Sequence, residues 1–383
     1  MNERWEERVL GWIEAGWVPE AMLRRMIRAL CRRRIRRLAS GGCEAACDDA
    51  EALMRSSLEG PVAPVPHKAN EQHYEVPASV FDRMLGTRRK YSCCYWDAST
   101  RDLDAAETRS LELTCEHAGV RDGDEVLELG CGWGALSTFI AERYPNCRIT
   151  GVSNSASQRE YIEARARRAG FGDRIRILTA DMNRFDIDHR FDRIVSIEMF
   201  EHMRNYRALL RRCRGWLKDD GALLVHVFCH RHFTYPFDEE GAANWMGRHF
   251  FSGGLMPGDD WLLRFQEDLV VTRQWRWSGD HYRRTAEAWL GQMAIHRNEL
   301  LTIFREVYPN QSPELWYRRW RMLYLAGAEM FGADRGEEWW VSHYRFEPRG
   351  AERLDERLHL SRAERPMGEG RGELVAAGEP SLE

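Results

Sequence analysis

No two of the ten cysteines form a CxxC pair, and only Cys93 and Cys94 are adjacent, so neither a thiolate zinc site nor a regular disulfide framework is expected. The chain also lacks any run approaching the roughly 18 apolar residues of a membrane helix. Its N-terminus carries Glu3, Glu6 and Glu7 where an export signal has a basic start and an apolar stretch. A cytoplasmic, reducing location is therefore expected. A basic excess is missing as well: 56 Lys and Arg stand against 60 Asp and Glu, a formal charge of -4, which excludes nonspecific nucleic-acid binding as the main activity. What the chain does have is length, since 383 residues leave room for a lid, an additional helical layer or tails around one core.

Four parts are expected. Residues 1–66 form a helical basic extension ending in a linker. Trp5, Val9, Trp12 and Ile13, then Met22, Leu23, Met26, Ile27 and Leu30, fall on one helical stripe, and eight arginines lie between positions 21 and 37. Such a helix either packs against the body of the protein or rests peripherally on an anionic membrane. The prolines of Gly60-Pro61-Val62-Ala63-Pro64-Val65-Pro66 suggest a linker. Residues 67–120 read as a helical segment covering a cofactor, with a helix over 102–118. Residues 121–346 form the main body, and 347–383, rich in Glu, Arg, Gly and Ala, read as a partly disordered charged tail.

Within the main body, strands are expected at 125–129, 147–152, 174–179, 193–197 and 222–228, separated by helices at 135–144, 156–169 and 206–217. Further strands are expected around 262–275 and at 339–346. Strands alternating with amphipathic helices make an α/β fold: a doubly wound, mostly parallel seven-stranded sheet, with ligands beyond the carboxyl ends of the strands. Nine tryptophans between 231 and 346 supply either a helical wall over a pocket or a rigid core.

The first specific word is Val126-Leu127-Glu128-Leu129-Gly130-Cys131-Gly132-Trp133-Gly134. Gly130, Gly132 and Gly134 follow an apolar strand and precede a helix, which lets the backbone approach a ligand. The spacing departs from the dinucleotide fingerprint, whose third glycine falls where Ala135 stands. Glu128 beside the turn is unwelcoming to a diphosphate and suited to a cationic amino group, so S-adenosylmethionine is favoured over NAD. Ser153, Asn154 and Gln158 after the second strand offer hydrogen bonds to ribose and methionine groups, or else Ser153 or Ser155 caps the next helix. Asp181 and Met182 after the third strand offer an acceptor for an adenine amino group and an apolar side chain for its ring.

The words His73-Tyr74-Glu75-Val76-Pro77, Lys90-Tyr91-Ser92-Cys93-Cys94-Tyr95-Trp96, Glu198-Met199-Phe200-Glu201-His202-Met203, Val225-His226-Val227-Phe228-Cys229-His230 and His281-Tyr282 come in addition to the glycine turn. In this order, residues 71–346 resemble the cyclopropane-fatty-acyl-phospholipid synthase superfamily of S-adenosylmethionine-dependent methyltransferases, and more closely its coclaurine and pavine N-methyltransferase branch. The resemblance implies a methyltransferase sheet with N-terminal helices and a helical insertion covering the substrate. It implies that Tyr91 and Ser92 contact the cofactor carboxylate and that Tyr74 closes over it. In lipid cyclopropanation it implies a bound bicarbonate held by Cys93, Glu201, His226, Tyr282 and the backbone amide of Phe228. In the amine branch it implies roles for Glu198, Glu201 and His202.

Chemistry agrees with the amine branch. An alkylammonium of pKa near ~10.4 must lose a proton before its lone pair can attack. Glu201 or His202 is the expected proton acceptor, with Glu198 holding the cation. Cys93 is expected to line the pocket or support an anion rather than act as a nucleophile. His226, between two valines, is either a site contact or a core histidine. No metal is expected, because the spacing of His226, His230 and His232 does not suit one on a strand. The expected function is methyl transfer to a small, aromatic or aralkyl amine; the alternative is modification of unsaturated phospholipid acyl chains. A binding protein without catalysis is disfavoured because Glu201, His226 and Tyr282 are all present.

Overall fold

Short apolar runs become the strands β1 (Glu125–Leu129), β2 (Arg148–Ser153), β3 (Ile175–Thr179), β4 (Phe191–Ile197) and β5 (Leu217–His230) in the computed structural model, which describes residues 3–65, 76–237 and 244–350. β6 (Tyr235–Pro236) and β7 (Leu255–Met256) pair as a small separate hairpin, and β8 (Leu269–Trp277) and β9 (Trp339–Pro348) complete the main sheet. The strand order is β3-β2-β1-β4-β5-β9-β8. The first five strands run parallel, and β9 runs antiparallel to both β5 and β8. β5 begins earlier and ends later than the apolar pattern indicates, and the strand expected from 262 starts at Leu269, after a turn of 3-10 helix at Trp261–Arg264.

Alternation along the strands divides the core in two. Leu127, Leu129, Ile194 and Val225 face the helix Tyr206–Trp216, while Val126, Ile149, Val195 and Leu224 face the helices Leu103–Ala118, Ala135–Arg143 and Ala156–Arg168. A third layer, built on Trp289, Phe304, Trp320 and Tyr324, joins the helices Gly279–Ile295, Arg297–Val307 and Pro313–Phe331 into a lid of aromatic and aliphatic side chains.

The N-terminal helices lie on that lid. Leu23 and Ile27 of the helix Glu20–Leu38 are buried against it. Arg24 pairs with Glu287 at 2.6 Å and Glu329 at 3.0 Å, Arg28 with Glu329 at 2.5 Å, and Arg319 with Glu14 at 2.8 Å. Part of the arginine stripe is thus directed at the protein's own carboxylates. No described helix is long and apolar enough to cross a membrane.

The segment expected as a linker is instead packed where it is described. Val62 and Ala63 are 7% and 5% exposed. Asn183 Nδ2 donates to the Ala63 carbonyl at 2.8 Å and Asn183 Oδ1 accepts from the Ala63 amide at 2.9 Å, while the Arg204 amide donates to the Val62 carbonyl. The prolines stiffen a strap whose backbone groups find partners on the main body. β9 carries the fold to Pro348, so the expected tail begins in a strand; the remainder of that tail, from 351, lies outside the described residues.

The ion pairs of Arg24, whose side chain is 20% exposed, separate docking by charge from general surface charge. Arg24→Ala should lower stability by about 1–2 kcal/mol, because it leaves Glu287 and Glu329 under-paired, whereas Arg25→Ala on the exposed face should change it by less than about 0.5 kcal/mol. Thermal denaturation of the two variants side by side checks this.

Candidate active site

Two neighbouring cavities open beyond the carboxyl ends of the parallel strands. The first surrounds the glycine turn. Gly130, Gly132 and Gly134 have φ of 80°, 50° and 76°, the left-handed region that favours glycine. The three serve different ends. A Cβ on Gly130 would meet Met199 at 2.9 Å, and one on Gly134 would meet Ile162 at 2.8 Å, so these two permit close packing. A Cβ on Gly132 would meet nothing within 4 Å, so this residue leaves space for a ligand.

Gly130 and Gly132 share this cavity with Ser153, Asn154, Gln158, Asp181 and Met182, all anticipated from sequence. Ser153 Oγ lies 2.7 Å from Gln158 Oε1, and Gln158 Nε2, fully buried, has no hydrogen-bond partner among the described residues. Ser155, not Ser153, caps the following helix, accepting from the Gln158 amide. A buried donor without a partner beside an open glycine cradle fits a polar nucleoside ligand. Asp181 and Met182, expected at the base, and Ser153, Asn154 and Gln158, expected at the ribose, are brought together in this one cavity.

Sequence reasoning missed Ala63, Val65, Met203 and Ser252, which also line this cavity. The first two belong to the strap. Their one sequence signal, a Pro-rich stretch, is the same signal that marks a linker.

Three expected contacts lie elsewhere. Glu128 points to the helix side of β1, where Ser137 Oγ donates to it, and it is 3% exposed. Side chains alternate along a strand, so Glu128 shares its face with Val126 and turns away from the glycine cavity. Burial raises its pKa to about 7. Ser92 is buried and accepts from Lys90 Nζ at 2.6 Å, and Tyr91 lines the second cavity, against Phe81 and Trp289. Tyr74 falls outside the described residues.

The second cavity has aromatic walls: Phe228, Phe237, Phe251, Trp289, Tyr324 and Phe331 line it, and its polar groups include Glu198, His202 and Tyr282. Phe251 stacks on His202 with ring centroids 5.8 Å apart, and Phe331 stacks on Tyr282 at 4.3 Å. His202 lines both cavities.

Glu198 sits at the end of β4 with φ of 48°, a conformation that costs a non-glycine residue about 1 kcal/mol or more. Its amide donates to the His226 carbonyl at 2.9 Å. Its carboxylate accepts from the Cys93 amide at 2.8 Å and from Tyr282 Oη at 2.7 Å, and Oε1 lies 3.3 Å from His226 Nε2. Cys93 therefore contributes its backbone, and its thiol is pushed well up by burial and by Glu198. Glu201, one turn on, is fully buried behind this wall; Oε1 accepts from the Phe228 amide at 2.8 Å, and Oε2 has no hydrogen-bond partner among the described residues.

These distances correct one expectation. Cys93, His226 and Tyr282, assigned to a bicarbonate by resemblance, converge on the Glu198 carboxylate, so a protein anion already fills that position. The electrostatics of the two glutamates also differ. Burial raises Glu198, opposed by Lys90 and the Cys93 amide, whereas burial and the Glu198 charge together drive Glu201 well above the ordinary range. Of this pair, Glu201 is pushed further toward its protonated form than Glu198. Among the described residues no group of three or more His, Cys, Asp or Glu is arranged to hold a metal ion.

A mostly parallel sheet completed by an antiparallel β9, with a glycine turn opening on one cavity and a second cavity next to it, is the arrangement of an S-adenosylmethionine-dependent methyltransferase, and the comparisons show that class. The model of the mycolic acid cyclopropane synthetase family matches residues 65–336, and the chain belongs to that family. It is 36% identical over 342 residues to the (S)-coclaurine N-methyltransferase of Thalictrum flavum subsp. glaucum, covering 87% of this chain and 93% of that one. A crystal structure of coclaurine N-methyltransferase bound to N-methylheliamine and SAH superposes with a TM-score of 0.85 at 35% identity, covering 89% of this chain and 99% of that one. The cyclopropane-fatty-acyl-phospholipid synthase of Escherichia coli K12 is 31% identical over 221 residues, 57% of this chain and 54% of that one. The chain thus stands on the coclaurine and pavine N-methyltransferase side of the family.

The glycines give a paired test. Gly132→Ala should leave the melting temperature within a few degrees but weaken S-adenosylhomocysteine binding by about tenfold or more, since its methyl projects into open space. Gly134→Ala should destabilise the fold by about 2 kcal/mol through the clash with Ile162 and the left-handed backbone. Calorimetric titration and thermal denaturation of both variants read the two effects apart.

Proposed function

We propose that this protein transfers a methyl group from S-adenosylmethionine to the nitrogen of a small amine with an aromatic or aralkyl body. The observation that carries the reading is a carboxylate, Glu198, set in the wall of a largely aromatic cavity. An ammonium group finds its counter-ion there, and the surrounding rings of Trp289, Tyr324 and Phe331 attract a cation through their π faces while packing its apolar remainder. The names of the relatives aligned over most of the chain, which are amine N-methyltransferases, support the same reading.

S-adenosylmethionine, when bound, supplies an electrophilic methyl group. Gly130, Gly132, Gln158, Asp181 and Met182 are the residues that would hold it. The protein's remaining task is to deliver an uncharged nitrogen. Glu198 holds the ammonium and accepts its proton on a carboxylate oxygen, while Tyr282 Oη and the Cys93 amide fix that carboxylate in place. His202, at the boundary of both cavities, positions the acceptor. Glu201 acts from behind: its own proton keeps a second negative charge away from Glu198, and its bond to the Phe228 amide holds the end of β5. The role of base, assigned from sequence to Glu201 or His202, is therefore proposed for Glu198.

The phospholipid alternative receives less support, because an alkene acceptor has no ammonium proton to give Glu198 and the anion position is already filled.

Glu198→Gln should lower kcat for an alkylamine by about 10² to 10⁴ at pH 7 while leaving S-adenosylhomocysteine affinity unchanged. Raising the pH should recover part of that loss, because solvent then supplies the neutral amine. Glu201→Gln resembles the protonated acid in shape and hydrogen bonding, and should retain kcat within about tenfold. Turnover followed by S-adenosylhomocysteine release from pH 6 to 9 checks both; equal losses in the two variants would return the role of base to Glu201.

A further inference from the structure

Behind Glu198 lies a line of three buried histidines that the reaction as described does not use. His226 on β5 and His343 on β9 are directly opposite in the antiparallel register, both fully buried, with ring centroids 4.5 Å apart. His343 Nδ1 lies 2.8 Å from His117 Nδ1 on the helix Leu103–Ala118, and His117 is 7% exposed. His226 Nε2 faces Glu198 Oε1 at 3.3 Å. The other nitrogens of these two rings, His226 Nδ1 and His343 Nε2, are buried without a hydrogen-bond partner among the described residues, so the rings touch but are not hydrogen-bonded to each other. Histidines kept only for packing have no need of this arrangement, since buried polar atoms are ordinarily satisfied.

We propose that His226, His343 and His117 relay the acceptor's ammonium proton from Glu198 to solvent. The proposal rests on the amine reading above. In the first step an N–H bond of the acceptor breaks and an O–H bond forms at Glu198. That proton passes to His226 Nε2. Because His226 and His343 are not hydrogen-bonded to each other, a turn of one ring carries the proton between them; His343 then gives one up from Nδ1 to His117, which releases one to water. One proton enters and one leaves, and no electrons are transferred.

Burial, then neighbouring cations, disfavours a lasting charge on any of the three rings. Burial, then Arg273 and Arg109, holds His117 down to about 4. Burial and Lys90 lower His226, and burial with the other two histidines lowers His343. Around the line stand Lys90, Cys93, Tyr282 and Glu201 at the Glu198 end, and Arg109, Arg273 and Arg345 at the His117 end, where Arg345 Nη1 donates to the His117 carbonyl. Trp275 stacks on His117 at 4.0 Å and Trp277 meets His226 edge-on at 5.3 Å, so aromatic surface sheathes the path.

The test compares two acceptors in the full-length enzyme: an alkylamine, charged at pH 7, and an arylamine, already uncharged there. His343→Phe and His117→Gln are each assayed for kcat and KM from pH 6 to 9. The expected result is a fall in alkylamine kcat of about tenfold or more at pH 7 in both variants, recovered by added imidazole and by raised pH, with KM unchanged and arylamine kcat within about twofold. Equal losses with both acceptors, or no loss with either, would overturn the relay. If His343→Phe does not fold, His117→Gln, at the least buried of the three rings, decides alone. Failure of the unaltered enzyme to methylate either amine would sink the amine reading instead.

Discussion

One buried carboxylate holds the reaction half of this molecule together. Glu198 is reached by the amide of Cys93 from the segment before the sheet, by His226 from β5 and by Tyr282 from the lid helix Gly279–Ile295. These three elements are far apart in sequence. Taking a carboxylate out of water costs several kcal/mol, and the cost is offset only while the donors stay in place. The strained φ of Glu198 adds to the demand. Lid, sheet and the Cys93 segment therefore share a common requirement: each must dock correctly for the charge to be tolerated. The wall of the second cavity is thus a place where three separate elements must meet correctly.

The α/β pattern could be read from the chain because each parallel strand is a short apolar run and each helix a periodic one. β1 through β4 lie within two residues of their expected limits. The glycine cavity was readable for a related reason: Gly130, Gly132, Ser153, Asn154, Gln158, Asp181 and Met182 all follow strand ends, and strand ends meet at one edge of a parallel sheet. Glu128 was misplaced because proximity in sequence to the glycines was weighed above strand alternation, and alternation decides which face a side chain takes. The difference between Glu198 and Glu201 had no signal in the sequence. Both occur in one short word, and only the left-handed turn at Glu198 sends its carboxylate into the cavity while Glu201 points back into the core.

The aromatic wall also has a division of labour that residue counting does not reveal. Of the nine tryptophans between 231 and 346, Trp289 faces the acceptor cavity, Trp320 and Trp261 are fully buried in core layers, and Trp275 and Trp277 pack against histidines beside β9. An abundance of one residue type thus serves substrate contact, packing and insulation of polar groups in different layers.

The strap over 61–65 has one more consequence. Ala63 and Val65 form part of the wall of the glycine cavity, and the strap follows directly on the helix Gly42–Leu58 at the end of the N-terminal helices. Occupancy of that cavity and seating of the strap are therefore thermodynamically linked. By reciprocity, whatever free energy a nucleoside ligand gains from a seated strap, it returns as added resistance of that segment to detachment. The N-terminal region is in this sense a gauge of cofactor occupancy, reporting at a distance from the acceptor whether the enzyme is charged.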